Sequence, residues 1–228
     1  MNNSIRILTA FCMFAWICMG SIHAQQVDTL FCQRQIDEGV FQRIKGKSYK
    51  EGCIVPLTDL RYLQVMHYDG NGNVCRGELI CHYSISDDLL AIFRKLYEAR
   101  YPIERMVLVD EYDADDEASM ADNNTSAFNF RYVSGTRRLS KHSQGLAIDI
   151  NPFYNPYVRK RGGKNLISPK GAEAYADRTQ NFPYKIDRND LCYKLFKAHG
   201  FRWAFPLRCF RLRSLHSERT PAPEAECF

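Results

Sequence analysis

The chain has 228 residues, of which 45% are hydrophobic and 25% charged, with a formal net charge of +5. These values fit one ordinary soluble core behind a processing segment, with no internal repeat or low-complexity tract. The basic residues are scattered except in the RKRGGK run at 159–164; no aromatic platform or recognisable module accompanies it, so it reads as a solvated loop and no nucleic-acid partner is expected.

Residues 1–24 combine a basic Arg6, an apolar run over 7–19 and a small Ala24 before Gln25, the pattern of a secretory signal cleaved after Ala24. The run is too short for a bilayer span, so no stable span remains after cleavage. Cys18 does not make a lipoprotein site, because Trp16 and Ile17 stand where small residues are required. The expected location is therefore secreted, in the periplasm or cell envelope. Export implies an oxidising compartment. Of the nine cysteines, Cys12 and Cys18 leave with the signal; the remainder is odd in number, so at least one stays free or pairs between chains. Cys75 and Cys81 lie on one predicted strand, roughly 20 Å apart, too far to bond each other. The absence of CxxC or Cys-His finger spacing argues against a structural zinc cluster.

Glycines and Pro56 punctuate residues 25–60, which read as an irregular arm. Residues 61–68 and 74–82 are strand-like and flank Asp69-Gly70-Asn71-Gly72-Asn73, the turn chemistry of a β-hairpin. His67 and His82 lie on these strands and read as structural or surface histidines. Ser86 is placed as the N-cap of a helix carrying Leu89, Ile92, Phe93 and Leu96 and ended by Pro102. Residues 104–109 read as a strand delivering the acidic run 110–117, a solvated loop lacking the offsets of an EF-hand. A short run at 127–133 contains Arg131, whose planar fork near a metal would suit a carboxylate or carbonyl oxygen. Residues 151–170 read as a loop. Asp187 and Asp190 open a last helix through Leu195 and Phe196, closed by Gly200.

The densest chemistry lies in residues 140–151, SKHSQGLAIDIN. His142 and Asp149 are seven apart, so one straight strand would point them to opposite faces. Gly145 permits a break that swings His142 to the face carrying Asp149. Beyond it Leu146, Ile148 and Ile150 alternate with Ala147, Asp149 and Asn151, a half-buried strand. Two such ligands suit zinc. A capping aspartate beside a surface histidine is the other reading of the pair.

The sequences 128–131 (FNFR), 140–149 (SKHSQGLAID), Asn155-Pro156 and 199–203 (HGFRW) resemble the D-alanyl-D-alanine carboxypeptidase family of zinc peptidases, over about residues 77–203. The resemblance rests chiefly on SxHxxGxAxD. It implies an α+β fold of DD-carboxypeptidase/hedgehog-like type, a small antiparallel sheet with flanking helices, over a domain at 61–203. It also implies zinc held by His142, Asp149 and a later histidine, with Arg131 near the scissile carbonyl and peptidoglycan stem peptides as substrates, cut by a D,D-carboxypeptidase or related endopeptidase. The tail, 204–228, departs from the family pattern. After the tryptophan the family has two glycines, then an acidic base three residues before its last zinc histidine. Here Ala204-Phe205-Pro206 follow Trp203, the only later histidine is His216, and Arg213 and Ser217 stand where the base and a phenylalanine are expected. Arginine cannot act as a base at neutral pH. A shifted reading frame after the Trp203 codon and genuine divergence both account for such a tail. A second reading of the chain is thus a catalytically impaired envelope protein that binds cell-wall peptide or metal without cleavage.

Overall fold

The computed structural model describes residues 30–133, 135–203 and 209–212. The signal segment, Arg213, His216 and Ser217 lie outside the described residues. The fold is α+β with small antiparallel sheets. The first sheet joins β1 (Cys32–Gln35), β2 (Leu60–Tyr68) and β3 (Val74–His82) in that order. The expected β2–β3 hairpin forms, because the Asp69 carboxylate accepts from the backbone N–H of Asn71 and Asn73 and fixes the turn.

The 25–60 segment, expected as an irregular arm, contributes β1 and a helix, α1 (Glu38–Ile44), capped by Asp37. Both are short, and α1 is stabilised by burying Val40 and Ile44 on the sheet rather than by length. Period-two alternation puts Leu63, Val65, Leu79 and Cys81 in one apolar cluster and Leu60, Tyr62 and Ile80 in the other, so both faces of the sheet are covered.

On the first face lies α2 (Tyr83–Glu98), whose Ile85, Leu89, Ile92, Phe93 and Leu96 recur at helical spacing and are buried. Its N-cap is His82, which accepts from Ser84 N, not Ser86 as the sequence suggested. Ser86 sits inside the helix and donates its hydroxyl to the Tyr83 carbonyl. The helix ends at Glu98, before Arg100 enters the left-handed region and well before Pro102.

Residues 104–108 belong to no strand, and Val109 opens a 3₁₀ turn, Val109–Tyr112. Side-chain amides take the backbone bonds a ladder would have used: Asn151 Oδ1 accepts from Glu104 N, and Asn124 bonds both the N–H and the carbonyl of Val107. The acidic run is likewise not a solvated loop. Asp110 is buried and accepts from Ser48 N and Oγ, and Asp115 caps α3 (Asp116–Ala121).

A second sheet contains β4 (Ala147–Asp149), β7 (Phe201–Trp203) and β8 (Cys209–Leu212), with β8 in the middle. A two-stranded hairpin, β5 (Tyr157–Arg161) and β6 (Lys164–Ser168), turns at Gly162-Gly163. It replaces the loop expected at 151–170, since two glycines in the left-handed region let a chain reverse in two residues. The last helix, α4 (Leu191–Ala198), is capped by Asp190 as expected and buries Phe196 against Phe93, Phe201 and Phe210.

Among the described cysteines, Cys53, Cys75, Cys81 and Cys192 are free thiols and Cys32 is disulfide-bonded. No described helix is long and apolar enough to cross a membrane.

Candidate active site

The turn that presents His142 is built locally. Ser140 caps a 3₁₀ turn, Lys141–Gln144, by accepting from His142 N. Gly145 closes it at φ +65° and accepts from His82 N at 3.0 Å, which staples the turn to the end of β3. The chain then enters β4, whose residues are all buried, so the half-buried strand expected there is in fact a core strand. The reason is β8, which covers it as a neighbour, together with a bridge between Asp149 and Ser126.

As the break at Gly145 requires, His142 and Asp149 meet: His142 Nε2 lies 3.5 Å from Asp149 Oδ2, with both side chains buried. That separation is long for a hydrogen bond. It is close to the roughly 3.3 Å between two ligands each about 2.0–2.1 Å from a tetrahedral zinc ion. His142 Nδ1 is 2.6 Å from the Ala127 carbonyl oxygen. A carbonyl only accepts, so Nδ1 carries the proton and Nε2 directs its lone pair toward the carboxylate. Burial lowers the His142 pKa, with Asp149 opposing and Arg131 assisting the shift, and a neutral imidazole is the form a metal needs. The donor set therefore fits zinc. Among the described residues no group of three metal-binding side chains occurs; His216, the expected third ligand, lies outside them.

Arg131 joins the same site through its backbone and its side chain. Its N–H donates to Ser143 Oγ at 2.9 Å, while that hydroxyl donates to the Arg131 carbonyl at 2.7 Å. Its guanidinium pairs with Asp116 Oδ2 at 2.7 Å, both side chains being largely buried. His142, Asp149 and Arg131 line one cleft of about 780 Å³, together with Asp116, Glu117 and the inner side of the β5–β6 hairpin. Glu117 fixes the base of that hairpin, accepting from Ser168 Oγ at 2.7 Å and Lys170 N at 2.6 Å.

Ser143 and Asp116 were missed in the sequence. Ser143 occupies a variable position of the motif, and Asp116 lies in an acidic run that reads as a solvated loop. His67 and His82 are structural, as expected: His67 is buried and bonds the Ile103 carbonyl, and His82 caps α2.

Residues 134–205 match the model of a family described as D-alanyl-D-alanine carboxypeptidase. The match spans the His142–Asp149 motif and α4 and reaches β7, and it makes this part of the chain peptidase-like. No curated protein and no solved structure matches the chain.

Proposed function

We propose, proceeding from the D-alanyl-D-alanine carboxypeptidase pattern carried by residues 134–205, that the protein is a secreted zinc metallopeptidase. Its substrates would be peptidoglycan stem peptides, cut as by a D,D-carboxypeptidase or a related endopeptidase. The observation that carries this reading is the orientation of His142, whose Nδ1 bond to Ala127 leaves Nε2 facing Asp149 across 3.5 Å at the edge of the cleft.

His142 and Asp149 would hold the metal, with His216 proposed as the third ligand. Zinc, when bound, supplies a water of lowered pKa and polarises a carbonyl. Arg131 would take a carbonyl or carboxylate oxygen of the peptide through its planar fork, and Asp116 holds that fork in the cleft. Ser143 ties the Arg131 backbone to the metal turn, so substrate and metal groups keep a fixed relation. Glu117 is committed to the hairpin and Asp115 to the cap of α3, so neither is assigned as base.

The second reading, a non-catalytic envelope protein binding peptide or metal, is favoured by Arg213 at the position of the base. The two part on one experiment. Purified protein is titrated with zinc and incubated with stem peptides, and products are separated chromatographically. The peptidase reading expects stoichiometric zinc and cleavage, both lost in His142→Ala. Full zinc occupancy without any cleavage would establish the second reading instead. Mature protein beginning at Gln25 in the envelope fraction would support export; full-length protein retained in the cytoplasm would refute it.

A further inference from the structure

The carboxylates of the cleft are already engaged within the protein. Asp115 accepts from Glu117 N and Ala118 N, Asp116 pairs with Arg131, Glu117 braces the hairpin, and Asp149 faces His142. Two of the cations are not matched in the same way. Arg138, from the loop before the metal turn, and Arg159, on β5, line the same cleft, and their guanidinium groups have no hydrogen-bond or ion-pair partner among the described residues. Beside them Leu139, Leu166 and Ile167 form an apolar wall, and Leu166 is 45% exposed. A cleft of about 780 Å³ falls within the roughly 300–1,000 Å³ of sites that enclose small ligands.

We infer that this wall is a specificity subsite, in which Arg138 and Arg159 select a peptide by a carboxylate while the apolar side chains hold its aliphatic part. The inference rests on the peptidase reading for the identity of the ligand as a peptide. A guanidinium gives a carboxylate charge-assisted, often bidentate bonds, and in a cleft that excludes part of the water these discriminate strongly against an uncharged amide. The carboxylate could be a side chain or the chain terminus, and the chemistry is shared.

The test uses the full chain and three fluorescent pentapeptides, Ala-Glu-Lys-Ala-Ala with D-residues at positions two, four and five, its Glu→Gln form and its C-terminal amide. Affinities are read by anisotropy, and turnover is followed in the same samples. We expect about tenfold or greater weakening for whichever neutral form lacks the selected carboxylate, which identifies its source. The Arg138→Gln/Arg159→Gln double variant should bind the acidic peptide as weakly as the wild type binds that neutral form. Retained lysine, in Arg138→Lys/Arg159→Lys, should restore part of the preference. Equal wild-type affinity for all three peptides, no binding of any, or a double variant that weakens every peptide alike would overturn the inference. Selectivity without turnover would leave it standing and sink the peptidase reading; turnover without charge preference would do the reverse.

Discussion

Gly145 shows how narrowly the turn that presents His142 is specified. A Cβ at this position would meet His82 N at 2.6 Å and the Cys81 carbonyl carbon at 3.1 Å, and its φ of +65° is unfavourable for other residues. The obstructing atoms are backbone, so no side chain can swing aside. Gly145→Ala is therefore expected to cost about 2 kcal/mol or more, combining left-handed strain of roughly 1–2 kcal/mol with the displaced strand end. It should also weaken zinc binding, because His142 loses its placement. Gly163→Ala is the control: it shares the positive φ but meets nothing within 4 Å. Urea unfolding and zinc competition on both variants check this, and equal costs would show that the approach to β3 is not the constraint. Asp116 is tested differently. Asp116→Asn keeps shape but removes the charge that holds Arg131 at 2.7 Å. It should lower kcat/KM by about tenfold, close to 1.4 kcal/mol, with zinc affinity unchanged; a parallel loss of zinc would mean that Asp116 supports the metal instead.

At the level of elements, the second sheet depends on β8, four residues within a tail whose sequence had lost the family pattern. Phe210 from that strand is fully buried, stacked on Phe196 at 4.1 Å and edge-on to Trp203 at 4.8 Å. Phe210→Ala should cost about 3–5 kcal/mol. A urea transition shifted by less than about 1 kcal/mol would show that the tail contributes little to the core. The elements readable from sequence were those with a strong local pattern: the β2–β3 hairpin with its Asp-Gly-Asn turn, the apolar stripe of α2, and α4 after Asp190. β1, α1 and β8 are short and gain order only by pairing or packing with distant residues, which periodicity cannot report. The 104–109 segment reads as a strand because its composition suits one, while the amides of Asn124 and Asn151 that bond its backbone lie far along the chain. At the site, His142, Asp149 and Arg131 were legible as a spaced motif with an upstream arginine. Asp116, Arg138 and Arg159 were not, since a surface charge and a cleft charge look alike until the hairpin is placed.

Across the whole molecule, β4 and the turn before it are tied to the first sheet by backbone bonds from irregular segments. His82 N bonds Gly145, Phe128 N bonds the Ile80 carbonyl, and Ser126 and Asp149 exchange both backbone bonds. The outer link of this chain is His67, whose Nδ1 lies 2.8 Å from the Ile103 carbonyl while Ile103 N donates to Tyr68. Burial lowers the His67 pKa, with the bond to Ile103 partly opposing it. A group whose folded pKa is depressed contributes its full stability above its unfolded pKa of about 6.5, and that contribution is lost as pH falls through the folded value. The urea midpoint should therefore decline as pH is lowered from about 7.5 to 5.5. His82 and His142 are shifted in the same direction, also chiefly by burial, so the decline is shared. His67→Gln keeps a donor for the Ile103 carbonyl but cannot take up a proton, so it should flatten the decline by one group's share while lowering stability at pH 7.5. If the variant and the wild type keep parallel pH curves, protonation of His67 is not coupled to unfolding, and the acid sensitivity belongs to His82 and His142.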